Sequence, residues 1–237
     1  MSEAKTSPRL SVVVPAYNEE RTLETIVKRV LALPLSLEVL VVNDGSKDKT
    51  AEIVAELARS DARVRGFHLA RNSGKGAAVR RGISEACGDY VVIQDGDLEY
   101  DPHDFEPMLA EMERSGLLCL YGSRRLRDRS AHAQASYYWG GVVITWFTNL
   151  LYRSKLTDEP TCYKMWKADI VKKVSLKENR FGFEPEVTAK VSRIAGVRIY
   201  EVGISYYGRT YAEGKKINWK DGFRAIYCII KYNTWAR

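Results

Sequence analysis

Three acidic residues follow one short apolar run of the chain, and their spacing suggests metal and phosphate chemistry. The run Tyr90–Ile93 fits a buried strand of a parallel sheet, and it is followed by Asp95, Asp97 and Glu99. In an extended backbone alternate residues share a face, so these carboxylates would point the same way. Mg²⁺ typically binds one or two carboxylates and completes its shell with water and substrate phosphates. The pattern predicts a metal-diphosphate site; a solvated acidic turn after a strand is the alternative interpretation.

The elements before this cluster alternate between strand and helix. Apolar, β-branched runs at 10–14, 38–42 and 64–69 predict strands, the first ended by Pro15, and apolar residues at helical spacing follow each run. Ser46 or Asp48 is expected to cap the second helix. Such alternation predicts a single α/β domain with a doubly wound, mostly parallel sheet and helices on both faces. Ligands of these sheets bind beyond the carboxyl ends of the strands, where all four loops of this half would lie.

The second half combines aromatic and basic segments. A strand is predicted at 117–122, and an arginine-rich stretch, 123–129, follows it. The segment 134–152 is rich in aromatic residues, but it is too short and too interrupted by polar residues to span a bilayer. Its composition suits a helix at the interface of an anionic membrane, and equally an aromatic core helix. The end of the chain, 212–237, is predicted to form a basic amphipathic helix.

Composition narrows the class of partner and the compartment. The formal net charge of +7 predicts an anionic partner, such as a phosphorylated substrate or an acidic membrane surface. No recognised base-reading motif accompanies this charge, so nucleic acid is not an expected partner. The four cysteines are widely spaced and are expected to be reduced thiols: Cys87, Cys119, Cys162 and Cys228. With a polar N-terminus and no long apolar run, we expect a cytoplasmic protein, peripheral on the cytoplasmic face of a membrane.

Four motifs taken together resemble one enzyme family. The stretches VVVPAYNEE, VVNDGSKDKT, NSGKGAAVRRGI and GDYVVIQDGDLEYDP resemble the family-2 inverting glycosyltransferases of GT-A fold. Within that family the chain is most similar to the dolichol-phosphate mannose synthase branch of polyprenyl-phosphate sugar synthases. Later stretches, including YGSRRL, LTDEPTCYK and YYGRTYAEGKK, also resemble that branch. The resemblance covers nearly the whole chain.

The resemblance implies roles for individual residues on the donor side. Pro15, Tyr17 and Glu19 would lie against the nucleotide, and Asp44 would hold the base. Asp95 would lie near the ribose and the sugar. Asp97 and Glu99 would hold Mg²⁺ or Mn²⁺ on the diphosphate. Lys75, in the loop before the third helix, is also assigned to substrate binding.

The acceptor implied by this branch is a polyprenyl phosphate, which would receive a hexose from GDP-mannose or UDP-glucose. A phosphate monoester is already anionic near neutral pH, so it can attack without a general base and needs cations instead. Arg124 and Arg209 lie in stretches that resemble the acceptor-phosphate contacts, and we assign them catalytic roles beside Asp95 and Asp97. The alternative acceptor is a hydroxyl of a glycan or protein, with Glu184 or Glu186 as base. Both acids are also suited to the first turn of a helix.

The expected organisation has three parts. Residues 1–9 form a flexible N-terminus, and residues 10–211 form the glycosyltransferase domain. Within it, 10–122 is the nucleotide-sugar half and 123–211 the acceptor half. Residues 212–237 form the C-terminal helix.

Overall fold

Seven strands alternate with helices in the computed structural model, which describes residues 8–127, 135–208 and 219–235. The strands are β1 (Leu10–Ala16), β2 (Leu37–Asn43), β3 (Val64–His68), β4 (Tyr90–Ile93), β5 (Cys119–Ser123), β6 (Lys164–Lys167) and β7 (Tyr200–Gly203). The helices are α1 (Leu23–Leu31), α2 (Thr50–Ser60), α3 (Lys75–Glu85), α4 (Phe105–Ser115), α5 (Arg124–Arg127), α6 (Ala135–Tyr152), α7 (Ala168–Val171), α8 (Phe183–Val191) and α9 (Trp219–Thr234). A short 3₁₀ turn, Pro102–Asp104, precedes α4.

All seven strands belong to one sheet, ordered β3-β2-β1-β4-β6-β5-β7. Six of them pair in parallel, β1 with β2 and β4, β2 with β3, and β5 with β7; only β6 runs antiparallel to its neighbours, β4 and β5. The predicted doubly wound, mostly parallel sheet is therefore confirmed. The antiparallel strand enters between β4 and β5, so it brings residues from late in the chain beside the acidic end of β4.

The centre of the sheet is apolar on both sides. In β1, β2 and β4 the valines and isoleucine of the strand interior are fully buried, with no alternation of exposed residues. Continuous burial of this kind is typical of parallel strands covered on both faces. A rigid sheet therefore supports the loops at its carboxyl edge.

Two local expectations differ from the structure. Strand β1 continues through Pro15 to Ala16, because the Ala16 carbonyl oxygen still accepts the Asp44 amide at 2.8 Å, and proline removes only one bond from the ladder. At the start of α2 the carboxylate of Asp48 accepts the Thr50 amide at 3.0 Å, whereas Ser46 accepts the Asn18 amide. Ser46 therefore joins two loops and does not cap the helix.

Helix α6 has its polarity reversed relative to an ordinary surface helix. Thr145 and Thr148 are buried, while the large apolar residues at helical spacing are exposed: Trp139 at 63%, Val143 at 44%, Trp146 at 58% and Leu150 at 58%. The helix thus packs its polar face on the domain and exposes its two tryptophans, so the alternative of an aromatic core helix is wrong. Among the described helices none is long and apolar enough to cross a membrane.

Candidate functional site

The loops that follow β1, β2, β3 and β4 meet at one edge of the sheet, as the alternation of elements predicts. The first two are joined by the bond from the Asn18 amide to Ser46, at 3.0 Å. The first and fourth are joined by Thr22, whose hydroxyl lies 2.8 Å from the Gly96 carbonyl oxygen and 3.0 Å from the Glu19 carboxylate. Pro15, near the end of β1, and Tyr17, at the start of the first loop, are half-buried. These contacts hold the predicted nucleotide-side residues within one surface.

Asp44 holds the loop that precedes α3. Its carboxylate accepts the backbone amides of Ser73 and Gly74, both at 2.7 Å, and the side-chain amide of Asn72 at 3.2 Å. The residue is only 2% exposed. Because both carboxylate oxygens are bound to residues 72–74, Asp44 shapes this loop directly; its predicted contact with the base remains a prediction.

Gly74 is required by the shape of that loop. Its φ of +99° lies in a region that residues with a Cβ rarely adopt, and a Cβ there would collide with the Asn179 carbonyl oxygen. The close approach places residues 178–180 over the start of α3. Lys75, the first residue of that helix, is thereby directed to the acidic loop.

Lys75 lies between two carboxylates. Its ammonium is 2.8 Å from the Asp95 carboxylate and 3.2 Å from that of Glu184, and all three side chains are largely buried. Burial disfavours the charged lysine, but the negative charges of Asp95 and Glu184 outweigh it and hold the pKa of Lys75 well above its usual value. Lys75 is therefore a permanent cation at the edge where a diphosphate would bind.

The backbone is not extended through the acidic residues, so the expectation that strand geometry aligns their side chains is wrong. Strand β4 ends at Ile93 and residues 96–99 form bends, in which Asp97 accepts the Glu99 amide at 3.0 Å. Asp95 contacts Lys75, whereas Glu99 accepts the hydroxyl of Tyr206 at 2.8 Å. Each carboxylate therefore has a different partner: Lys75 for Asp95, the Glu99 amide for Asp97 and the Tyr206 hydroxyl for Glu99.

Asp97 and Glu99 still fit a metal that is held mainly by its substrate. Within the described ranges no group of three or more histidine, cysteine or acidic side chains could hold a metal ion by itself. Two neighbouring carboxylates of a loop supply the hard oxygen donors that Mg²⁺ uses when phosphates complete its shell. The donor set is therefore consistent with the predicted ligands.

Arg124 is held by a buried carboxylate. Two of its guanidinium nitrogens lie 2.7 Å from the two oxygens of Asp158, and the guanidinium stacks at 5.1 Å over the ring of Tyr206. Burial alone would raise the pKa of Asp158, but the charge and hydrogen bonds of Arg124 bring it below its usual value. The same Tyr206 bonds Glu99, so the predicted acceptor arginine and the predicted metal ligand share one neighbour.

The remaining predicted residues have different outcomes. Arg209 lies outside the described residues, as does 128–129 of the arginine-rich stretch. Glu186 is fully buried and accepts the backbone amides of Lys177 and Glu178, so it organises that segment. Glu184 has an ammonium group on each oxygen. Both acids lie in the first turn of α8, as predicted, but neither caps the helix through a side-chain bond.

The sequence patterns did not identify three residues of the candidate site at the carboxyl edge of the sheet. Lys164 is fully buried and pairs with Glu184 at 2.7 Å, Asp158 pairs with Arg124, and Tyr206 contacts both Arg124 and Glu99. A signal existed for the first two, because both are charged residues of the stretch LTDEPTCYK that resembles the family, and a charged residue is costly to bury unless it is paired. The partners themselves are distant in sequence.

Comparison with known proteins supports the resemblance to polyprenyl-phosphate sugar synthases that the motifs indicated. The chain is 33% identical to a dodecaprenyl-phosphate galacturonate synthase of Rhizobium johnstonii over 215 residues, which cover 88% of this chain and 62% of that protein. It is 28% identical to the human dolichyl-phosphate beta-glucosyltransferase, over 96% of this chain and 77% of that one. Three curated relatives are longer than this chain, which spans 62%, 33% and 38% of their lengths.

The fold also matches solved structures. A glucosyl-3-phosphoglycerate synthase from Mycobacterium tuberculosis, in complex with Mn²⁺, uridine diphosphate and phosphoglyceric acid, superposes with a TM-score of 0.71. The match covers 96% of this chain and 79% of that one at 18% identity, and it agrees with the expected GT-A architecture. The profile of one family, glycosyl transferase family 2, matches residues 11–174, which include the four loops and the Arg124–Asp158 pair. By this match and by the sheet that carries those loops, the chain belongs to glycosyl transferase family 2.

Proposed function

We propose that this protein transfers a hexose from a nucleoside-diphosphate sugar to a polyprenyl phosphate, with inversion at the anomeric carbon. GDP-mannose and UDP-glucose are the two donors to test first. The names of the relatives, a galacturonate synthase and a glucosyltransferase, favour a sugar other than mannose.

The observation that carries the proposal is the bonding of α6 to the loop that holds Arg124. The loop, residues 156–163, contains Asp158. Thr145 of α6 accepts the Glu159 amide at 3.1 Å, and Asn149 of α6 bonds both the amide and the carbonyl oxygen of Leu156 at 2.8 Å. The outer face of the same helix carries the exposed tryptophans. A surface suited to a lipid chain and a guanidinium suited to its phosphate therefore belong to one hydrogen-bonded unit.

The donor side supports a nucleotide diphosphate. Asp44 fixes the loop before α3, and Lys75 supplies a buried cation beside Asp95. We assign the divalent cation, Mg²⁺ or Mn²⁺, to Asp97 and Glu99; when bound it supplies charge neutralisation on the departing diphosphate. Lys75 adds a second positive charge for the same group, and the buried environment strengthens that interaction.

The contacts of Glu184 and Glu186, the two candidate general bases, favour an acceptor that needs no general base. Each Glu184 oxygen is bound to a lysine ammonium, and Glu186 is bound to backbone amides. A hydroxyl acceptor would require one of them to take a proton, whereas a phosphate oxygen attacks as an anion. Arg124, kept in place by Asp158, orients that anion, and Arg209 is proposed as its second cation.

We further propose that α6 and α9 rest on an anionic membrane surface. Helix α9 contacts α6 through the Tyr152 hydroxyl, which donates to the Ile229 carbonyl oxygen at 2.8 Å. It adds its own exposed apolar residues: Phe223, Tyr227 and Ile230. Aromatic residues at such an interface place an apolar body in the acyl region and a polar edge in water.

The test compares two acceptors that differ only in the reacting group. Purified protein is incubated with radiolabelled GDP-mannose, UDP-glucose and UDP-galacturonate, each with a polyprenyl phosphate or with the corresponding polyprenol. Label extracted into organic solvent measures transfer. We expect transfer to the phosphate with one donor and none to the alcohol.

Two results would contradict the proposal. Equal transfer to polyprenol would identify a hydroxyl acceptor, in which case Glu184→Gln should abolish the reaction. Transfer only to a water-soluble phosphate, such as 3-phosphoglycerate, would retain the phosphate nucleophile and reject the lipid.

A further inference from the structure

Four charged side chains of alternating sign contact one another in a row that begins at the carboxyl edge of the sheet. Asp95 contacts Lys75 at 2.8 Å, Lys75 contacts Glu184 at 3.2 Å, and Glu184 contacts Lys164 at 2.7 Å. The exposed fraction of the side chains falls along it from 24% at Asp95 to zero at Lys164. This row of charges thus runs from the carboxyl edge of the sheet into the interior.

Lys164 forms the inner end by folding the 156–163 loop around its ammonium. The ammonium donates to the carbonyl oxygens of Glu159 and Thr161, at 2.8 and 2.5 Å, and to the Glu184 carboxylate. A lysine has three donors, and these three acceptors use all of them. The path of the 156–163 loop and the position of Glu184 are therefore set by the same buried charge.

The 156–163 loop also comes close to Asp95, at the outer end of this row of charges. The Cys162 thiol of this loop donates to the carbonyl oxygen of Ile93, two residues before Asp95, at 3.8 Å, and its amide donates to the Tyr100 hydroxyl at 3.1 Å. Asp158, at the other end of the loop, holds Arg124. The row of alternating charges therefore connects Asp95, on the side of the sugar donor, with the loop that holds Arg124, the cation proposed to bind the acceptor phosphate.

Stability alone does not explain this arrangement. Desolvation of buried ions can exceed their attraction, so an apolar set of equal volume would often serve the fold as well or better. Removing one member is different, because it leaves the next charge buried without its partner. The set is thus a weak source of stability but a strong constraint on geometry.

We propose that Glu184 is a positioning residue of the transfer reaction: anchored by Lys164, it fixes Lys75 against Asp95. The inference deepens the proposed function and rests on it. Glu184 acts through Lys75 and does not touch the reacting atoms. Its removal should therefore have no effect on turnover once Lys75 is gone.

A double-mutant cycle tests this dependence. Glu184→Gln is made in the wild type and in Lys75→Met, and turnover is measured per folded protein. We expect about a tenfold fall in kcat in the wild-type background, since small misplacement of reacting groups is costly. In the Lys75→Met background the same change should alter kcat by less than about twofold, because coupled residues are not additive.

Glu38→Gln is the matched control. Glu38 is also a buried carboxylate that holds a cation, Arg65, and accepts from Ser11 and the Cys87 amide, but it lies at the opposite end of β2. It should lower stability without changing kcat or the donor KM. If Glu184→Gln does not fold, Glu184→Asp is measured; it keeps the charge but shortens the side chain, and about a threefold or larger loss of kcat is expected.

The outcomes separate the inference from the function. If folded Glu184→Gln has the kcat of the wild type, or if it loses kcat equally in both backgrounds, the inference is overturned while the proposed function stands. A wild-type kcat in Glu184→Asp overturns the inference in the same way. If the wild type transfers no sugar, the proposed function is wrong. The inference is then judged by calorimetry with UDP and GDP: Glu184→Gln must weaken nucleotide binding and Glu38→Gln must not, or the inference is overturned as well.

Discussion

Asp44→Asn tests whether one buried carboxylate shapes the loop before α3. The Ser73 and Gly74 amides point at different oxygens of Asp44, each at 2.7 Å. An asparagine amide has only one oxygen, so one of these donors would face an NH₂ group in either orientation. The change removes a charge-assisted bond worth roughly 1.5–3 kcal/mol and leaves a buried donor without an acceptor, at a cost of about 1–3 kcal/mol. Because these two costs overlap, we expect the free energy of unfolding to fall by ~3 kcal/mol.

Asp48→Asn is the matched comparison, because Asp48 also accepts two backbone amides on different oxygens. These come from Thr50 and Glu20, at 3.0 and 3.2 Å, but the site lies closer to solvent. Water can replace a lost acceptor there, so we expect a loss of about 1 kcal/mol or less. The difference of roughly 2 kcal/mol between the variants measures the contribution of burial.

The assay is urea unfolding followed by circular dichroism, with donor affinity measured by calorimetry on the folded variants. Asp44→Asn should also weaken donor binding, because the 71–74 segment directs Lys75 to the acidic loop. Equal losses of stability in the two variants would refute the argument from burial. A destabilised Asp44→Asn protein that binds donor normally would refute the role of this loop in binding.

Three further predictions concern the metal, the pH dependence and the membrane. Asp97→Asn should lower turnover at least ~100-fold, and EDTA should abolish it; full activity in EDTA would contradict a metal requirement. Burial raises the pKa of Glu159 to about 7, so folding favours its neutral form, and the free energy of unfolding should fall as pH rises from 4.5 to above 7. Glu159→Gln should flatten that slope in urea titrations, and an unchanged slope would exclude Glu159 as its source. Trp146→Ser should reduce flotation with anionic vesicles while Tyr200→Ser, an exposed aromatic of β7, should not; equal flotation would remove α6 from the lipid surface.

Local sequence patterns determined the scaffold and the edge that carries the site. Apolar runs such as 38–42 followed by helical periodicity suffice to predict a parallel sheet, because each strand and helix must bury its own apolar face. The loops that carry Asp44, Lys75 and Asp95 were predicted to meet for the same reason, since the carboxyl ends of parallel strands lie together. The resemblance to family 2 used these same loops.

Tertiary structure decided which charge pairs with which. Strand β6 lies antiparallel between β4 and β5, and no periodicity within Lys164–Lys167 indicates that position. Its insertion sets Lys164 beside Glu184, twenty residues away, and brings Cys162 of the 156–163 loop to the Ile93 carbonyl oxygen at the end of β4. Contacts with distant residues also gave Asp95 and Glu99 separate partners, Lys75 and Tyr206. Periodicity could not reveal the reversed polarity of α6 either, because an amphipathic pattern identifies two faces and only packing decides which one is buried.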